Sequence, residues 1–331
     1  MVVPKRKVSA VVTLFFVAPL VAEYLLGDLP LKLLPVVILL APMYGGGAVL
    51  IREAARRAGR GWPTMLLLGL AYMLIGEGLV TQSLFNHDYL KMHMHLLDHA
   101  YVPALGIGAW WTMLMINLHV FWSMGVSIAL VEALYPAEAD APWMGSVGDA
   151  AIGVFFLLGA VANFGIGFKQ NHFVASQAQL LWVAALCIFV AVGAFVLPRG
   201  GRGVWGGAVP NAWVSGAMTT VLGLGLMSTP PKWGWGAVGT MLAIDVIFLG
   251  LVRIMSRRAG WGPLHRLSLA AGGAVAYGVH AFLPKPLLGG GVLWARISNT
   301  VFLAAAIGVI ALAVKRVMRL TAGGPAATLE V

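Results

Sequence analysis

The chain has 331 residues, of which 60% are hydrophobic and 10% are charged, and its formal net charge is +10. Soluble domains are about 45–50% apolar and about 25% charged, so this composition excludes a soluble globular protein. The sparse charges also exclude a basic groove for nucleic acid, and the single cysteine, Cys187, excludes a disulfide framework or a zinc-finger spacing. The composition indicates a membrane protein.

Ten apolar segments along the chain are long enough to cross a bilayer core, which needs roughly 20 residues in a helix. We therefore predict an all-α, polytopic helix bundle with about ten transmembrane helices, in a single transmembrane domain over residues 1–331. In chain order the predicted spans are Ser9–Leu26, Leu33–Arg52, Trp62–Thr81, Leu105–Leu134, Val147–Phe168, Gln179–Leu197, Ala212–Thr229, Gly234–Ser256, Leu264–Leu283 and Ile297–Val317. The seventh span carries the weakest signal, because it is short and rich in Gly, Ser and Thr.

The basic residues predict the orientation. With a cytoplasmic N-terminus and ten alternating spans, sixteen of the 22 Lys and Arg fall on the cytoplasmic side, as the positive-inside rule requires. We predict an N-in/C-in, multi-pass protein of the cell (plasma) membrane, with the lipid bilayer as its first partner and a membrane-protein partner or a second copy as further partners. One cytoplasmic loop, Tyr135–Gly148, departs from the pattern by carrying Glu138 and Asp140. The sixteen are Lys5, Arg6, Lys7, Arg52, Arg56, Arg57, Arg60, Arg199, Arg202, Arg253, Arg257, Arg258, Arg266, Lys315, Arg316 and Arg319.

A weak internal repeat relates residues 52–80 to residues 253–283. The sequence RRAGRGWP that begins at Arg56 resembles RRAGWGP, which begins at Arg257, and each precedes a span that contains Ala-Tyr. Gene duplication is one explanation. Convergence is the other, because Gly ends helices and Pro suits the first helical turn.

Ionisable side chains inside the predicted spans are the main functional signal, since a charge at the bilayer centre costs roughly 2.5–3.5 kcal/mol on insertion scales. They are Glu23, Glu77, His119, Asp245 and His280, accompanied by Asn117, Asn163 and Asn299. The helical rise places several of them at a similar depth, nearer the outer surface. We predict a substrate or ion pathway lined by Glu77, His119, Asn163, Asp245 and His280. Glu23 and His280 lie close to span ends, where an interfacial position is the alternative.

The second span contains Pro42 followed by Gly45, Gly46 and Gly47. Proline removes a backbone hydrogen bond, and glycine permits either unwinding or a close approach of helices. Two structures are compatible with this pattern: a discontinuous helix beside a cavity, or close helix packing.

The segment between the third and fourth spans is rich in histidine and methionine. Imidazole is a ligand of Cu and Zn, and thioether is a ligand of Cu(I). The sequence predicts a Cu or Zn site there, with His87, Met92, His93, Met94, His95 and His99 as candidate ligands. A polar loop resting at the membrane interface is the alternative.

Two short motifs carry resemblances. The segments GEGLVTQSLF at Gly76 and GIGAWW at Gly106 resemble a group of uncharacterised polytopic bacterial membrane proteins. A Glu in one span followed by a His in the next is remotely similar to the CAAX-protease and bacteriocin-processing family of intramembrane proteases, which implies that Glu77 and His119 activate a water. Gly76 and Thr81 depart from that family's Glu-Glu-x-x-x-Arg motif.

Three functions follow as hypotheses. The first is a transporter or permease-like protein with a polar, outward-facing intramembrane site; without a Walker motif, its transport would be secondary or driven by a partner ATPase. The second is a membrane-embedded hydrolase, with Glu77 as general base and His119 as metal or oxyanion partner, both as candidate catalytic residues. The third is a non-catalytic, metal-handling subunit of a membrane complex.

Overall fold

The structure, a computed structural model, describes residues 5–197, 205–284 and 291–322. Within these ranges the chain forms ten long helices, which confirms the predicted all-α polytopic architecture. They are α1 (Arg6–Leu25), α2 (Leu31–Arg57), α3 (Trp62–Val80), α4 (Ala109–Leu134), α5 (Ser146–Asn171), α6 (Gln177–Val196), α7 (Ala212–Met227), α8 (Trp235–Met255), α9 (Pro263–His280) and α10 (Gly291–Ala322). Among the described residues, eight helices are long and apolar enough to cross a membrane. Helix α7 is a shorter apolar helix, at the position of the weakest sequence signal.

Helix α4 lies at the centre of the bundle. In its apolar stretch 72% of the residues are buried, against 11% in α5 and in α8. Large apolar side chains on the outer helices face outward, including Phe189 on α6 and Val246 on α8. Such surfaces are covered by lipid in a membrane protein, so the bundle has an inner group of helices and a lipid-facing outer group.

Helix α2 runs without a break through Pro42 and the three glycines. A side chain at Gly45 would overlap the backbone carbonyl of Phe15 on α1, and one at Gly47 would meet the ring of Tyr72 at 2.5 Å. Of the two structures that the Pro/Gly pattern allowed, the chain forms the closely packed one. The absence of a Cβ lets α1 and α3 approach α2.

The basic segments gather at one end of the bundle, which we call the Arg-rich side. Lys7 Nζ donates to the carbonyl of Pro142 over 2.8 Å, and Arg316 Nη1 donates to that of Leu134 over 2.7 Å. On the same side the short strand β3 (Trp205–Ala208) pairs in parallel with β4 (Arg258–Ala259). Arg199, Arg202 and Lys285 lie outside the described residues.

The opposite end, which we call the far side, carries the segment between α3 and α4. It includes an antiparallel hairpin of β1 (Tyr101–Val102) and β2 (Ile107–Gly108). Gln82 ties this segment to the turn before α6, since its Oε1 accepts a hydrogen bond from the backbone N–H of Ala175 over 2.7 Å.

A buried ion network accounts for the acidic loop that departs from the positive-inside pattern. The guanidinium group of Arg52 is fully buried and contacts Glu53 at 2.6 Å and Glu132 at 3.2 Å. It also donates to backbone carbonyls of the loop and lies 3.5 Å from the ring centroid of Trp143. Arg56 pairs with Glu132 and with Asp140. Arginines of α2 therefore hold the acidic loop, mainly through its backbone carbonyls and through the exposed carboxylate of Asp140.

Candidate functional site

Glu77 and His119 meet in the interior of the bundle. Glu77 Oε1 lies 3.3 Å from His119 Nε2, and the two residues are 8% and 6% exposed. His119 Nδ1 lies 3.0 Å from the backbone carbonyl of Met115, which can only accept a hydrogen bond. Nδ1 therefore donates, and a neutral ring would present a bare Nε2 to the carboxyl group. The contact requires one further proton, carried either by the imidazole or by the carboxyl group.

The second oxygen of Glu77 is fixed by hydroxyl groups at the end of its own helix. Thr81 Oγ1 donates to Oε2 over 3.0 Å, and Ser83 Oγ donates to the same oxygen. Ser83 in turn accepts from Trp111 Nε1 over 3.1 Å. Every one of these groups is placed by α3, α4 or the turn that follows α3, so the carboxyl group has a defined orientation.

Glu23 and Tyr44 extend the cluster, and neither was assigned to the site from sequence. Tyr44 Oη donates to Glu23 Oε1 over 2.5 Å, and the Tyr44 ring stacks on the His119 ring at 6.1 Å between centroids, with 16° between planes. The Tyr72 ring lies 5.8 Å from that of His119, and its buried hydroxyl group has no hydrogen-bond partner within the part of the chain that the structure describes. We call Glu23, Tyr44, Tyr72, Glu77 and His119 the acid–histidine cluster.

The three ionisable residues of the acid–histidine cluster each lie in a π-helical segment, where the backbone widens by one residue per turn. The segments are Leu20–Leu25 in α1, Leu74–Val80 in α3 and Leu118–Val126 in α4. Such widenings are rare in proteins as a whole, and those that do occur often lie at functional sites. Here they fall at the positions where three neighbouring helices bring charged groups together.

Asp28, in the turn after α1, lies near the cluster on the far side. Burial raises the pKa of this carboxyl group to about 8, and the charge of Glu23 adds to the shift. A second acid thus stands next to Glu23 at the end of the bundle where the turn meets the membrane surface.

Asp245 and Asn117 form a separate polar pair on the other face of α4. Asn117 Nδ2 donates to Asp245 Oδ2 over 3.1 Å. Asn117 is fully buried, and no described residue forms a hydrogen bond with its Oδ1. Because Asn117 and His119 are two residues apart in one helix, their side chains point to different neighbours at nearly the same depth.

The pair lies at one end of a cavity of about 1040 Å³. The walls come from the first turns of α3, from residues between Asn117 and Ala129 on α4, and from α7, α8 and α9. Asp245 is near the middle of α8, and the remaining α8 lining residues run from there to Arg258 and Gly260 beyond its Arg-rich end. The cavity lining therefore runs from the Arg-rich side past the middle of the bundle, to Asn117 on α4 and to Leu226 near the far end of α7.

Two predicted pathway residues form no hydrogen bond with either group among the described residues. Asn163 on α5 donates to the carbonyl of Gly159 in its own helix over 2.8 Å. His280 ends α9, and its Nδ1 is buried with no hydrogen-bond partner in the described ranges. The structure brings Glu77 and His119 into contact and pairs Asp245 with Asn117, whereas the place of Asn163 and His280 in a pathway stays a prediction.

Part of the His/Met-rich segment also forms a cluster. Ligand atoms of His87, His95 and Asp98 lie within 4.8 Å of one another on the exposed far side. His87 Nε2 is 2.6 Å from Asp98 Oδ1. Of the other candidate ligands, His93 contacts Asp88 at 3.3 Å and His99 packs against Trp110. Asp98, which joins the two histidines, was not among the predicted ligands, and a role for Met92 and Met94 stays a prediction.

Comparison with known proteins identifies the family of this chain over nearly its whole length. No curated protein and no solved structure matches it. Residues 12–328, which include all of the groups described above, match the family described as "Uncharacterized membrane protein family". This chain therefore belongs to an uncharacterized membrane protein family.

Proposed function

We propose that the protein is a secondary transporter whose substrate enters the cavity from the Arg-rich side. The observation that carries the proposal is the cavity of about 1040 Å³ whose lining joins the Asn117–Asp245 pair to the arginines of the Arg-rich side. A polar site between helices inside the bundle is the arrangement that alternating access uses. Its volume lies just above the roughly 300–1,000 Å³ typical of ligand sites.

The acid–histidine cluster supplies the coupling in this proposal. It holds a shared proton between Glu77 and His119, behind the same helix that closes the cavity. Gain or loss of that proton changes the charge inside a low-dielectric bundle, which shifts the balance between two packings of α4. Glu23 and Asp28 lead from the cluster toward the far side, where a proton can enter.

Hydrolysis at the same residues is the competing hypothesis. The distance of 3.3 Å between Glu77 and His119 meets its first requirement. Neither residue lines the large cavity, so a substrate that occupies the cavity does not reach them. This placement favours a coupling role over a catalytic one, and the likeness to intramembrane proteases stays a hypothesis on two residues.

Alternating access can be tested without knowing the substrate, because the only cysteine, Cys187, is easily removed. In a Cys187→Ala background, Thr219→Cys places one thiol in the cavity wall, and Thr300→Cys places one on the exposed surface of α10. We expect a membrane-impermeant maleimide to label position 219 from the Arg-rich side at rest and from the far side under an imposed pH gradient. Position 300 should not respond to the gradient. Labelling of position 219 from one side only, under every gradient, would contradict transport.

Metal binding at the far side is a second candidate function, favoured by the His87–His95–Asp98 cluster. Two imidazoles and a carboxylate suit Zn²⁺ or Cu²⁺ better than Cu(I), which prefers sulfur. Calorimetric titration of the detergent-solubilised chain with Zn²⁺ should show binding that His95→Ala weakens at least tenfold. His93→Ala and His99→Ala, on the same segment, are matched controls. Equal weakening of Zn²⁺ binding by the control substitutions would contradict the assignment of the site.

A further inference from the structure

We infer that the ligand of the cavity is an anionic phospholipid, held by its phosphate at the Arg-rich mouth. The inference rests on the proposed function only in calling this lipid the substrate. The binding itself follows from the charges and hydrogen-bond donors of the mouth and from the apolar walls behind it.

Unpaired arginines mark the mouth of the cavity. Arg253, Arg258 and Arg266 all line it, and among the described residues their guanidinium groups form no hydrogen bond or ion pair. Across the same side of the bundle the arginines of α2 behave differently, since Arg52 and Arg56 are matched by Glu53, Glu132 and Asp140. The three mouth arginines, unlike those of α2, therefore have no carboxylate partner among the described residues, and an anion would supply one.

A buried donor without an acceptor points the same way. Trp62 lines the cavity at the first residue of α3, and its Nε1 is buried with no hydrogen-bond partner among the residues that the structure describes. An unpaired N–H in the wall of a cavity that also has three guanidinium groups favours a ligand that offers several acceptor oxygens. Phosphate does so, and guanidinium binds it through paired hydrogen bonds.

The walls behind the mouth fit the rest of a lipid. Apart from Thr219 and the Asn117–Asp245 pair, the lining beyond the mouth is dominated by side chains such as Phe121, Leu222 and Phe248. Asp245 lies eight residues before Arg253 in α8, which is about 12 Å at the helical rise. That separation keeps an anionic headgroup at the mouth away from the carboxylate. Basic pockets between transmembrane helices on the cytoplasmic side are a known mode of recognition for anionic lipid headgroups.

The test uses the full chain in detergent and measures lipid binding by native mass spectrometry. We expect phosphatidylglycerol to bind at least tenfold more tightly than phosphatidylcholine. Arg253→Gln, Arg258→Gln and Arg266→Gln together should abolish that preference. The matched control combines Arg6→Gln, Lys315→Gln and Arg319→Gln, which remove the same charge from exposed positions outside the cavity. Equal loss in both triple variants would reduce the effect to general electrostatics and overturn the proposal.

Two further arms separate a lipid from a free anion. Leu222→Trp fills the apolar wall without changing charge and should weaken phosphatidylglycerol binding at least fivefold. Inorganic phosphate and glycerol 3-phosphate should not displace the lipid at equal concentration. If either anion displaces it, or if Leu222→Trp has no effect, the lipid assignment is wrong. None of these measurements requires a membrane gradient, so the two proposals can fail separately. If the lipid binds but position 219 is labelled from one side only, transport is refuted and lipid binding is not.

Discussion

The buried arginine of α2 gives the sharpest prediction about stability. Arg52→Gln removes the ion pairs with Glu53 and Glu132, the hydrogen bonds to the loop carbonyls and the contact with Trp143. Breaking a buried pair usually costs about 3–5 kcal/mol, because a charge is left without a partner.

Here the remaining carboxylates keep other partners. Glu53 still accepts from the backbone N–H groups of Trp143 and Met144, and Glu132 still pairs with Arg56 through both oxygens. We therefore assign about 2 kcal/mol to the lost ion pairs. The carbonyls of Ala139 and Ala141 add about 1 kcal/mol each, and the cation–π contact adds about 1 kcal/mol. The expected loss is about 5 kcal/mol.

The assay is unfolding in mixed micelles by titration with sodium dodecyl sulfate, followed by tryptophan fluorescence. Arg319→Gln, at an exposed position, is the control and should change the free energy of unfolding by less than about 0.5 kcal/mol. Arg52→Lys keeps the charge but cannot bridge the loop, so its loss should lie between the two. A loss of less than 1 kcal/mol in Arg52→Gln would refute the network's role.

Three further predictions concern packing, pH and coupling. Gly45→Ala should lower stability by about 1–3 kcal/mol through overpacking, whereas Gly167→Ala, with open space around it, should not; equal thermal midpoints would refute the close contact. Because the pKa of Asp28 is raised in the folded state, the wild-type protein loses stability as pH rises from about 4 to 8. Asp28→Asn should therefore unfold at a higher temperature than wild type at pH 8.5 and at the same temperature at pH 4. An unfolding temperature that depends on pH in the same way in both proteins would count against the buried acid. In a double-mutant cycle of Glu77→Gln and His119→Gln, we expect a coupling energy of about 1–3 kcal/mol in the unfolding free energy, and strict additivity would show that the two do not share a proton.

Much of the fold could be predicted from sequence because it depends on local composition. Apolar length gave ten helices, and the weak seventh segment became the short α7. The basic residues predicted which ends of the helices share a side, and the contacts of Lys7 and Arg316 agree. The Pro/Gly pattern of α2 was ambiguous, because the neighbour that a glycine accommodates is set by tertiary packing.

The site could be predicted only in part. Glu77 and His119 stand out because ionisable groups inside apolar spans are costly, and the helices bring them within 3.3 Å. Glu23 lies so near the end of its span that an interfacial position was equally consistent with the sequence. Tyr44 carried no signal, since tyrosines are common near membrane surfaces. Depth along a helix also says nothing about the direction of a side chain. The sequence therefore could not predict that Asp245 pairs with Asn117 at the cavity and not with the acid–histidine cluster.

Coupling between the acid–histidine cluster and the cavity is the central claim, and side-specific labelling of Thr219→Cys with and without Glu77→Gln tests it most directly. With the cluster intact, an imposed pH gradient should move labelling from the Arg-rich side to the far side. Glu77→Gln removes the shared proton, so far-side labelling should fall at least tenfold while Arg-rich-side labelling persists. If the gradient shifts labelling equally in both proteins, the cluster does not drive the cavity.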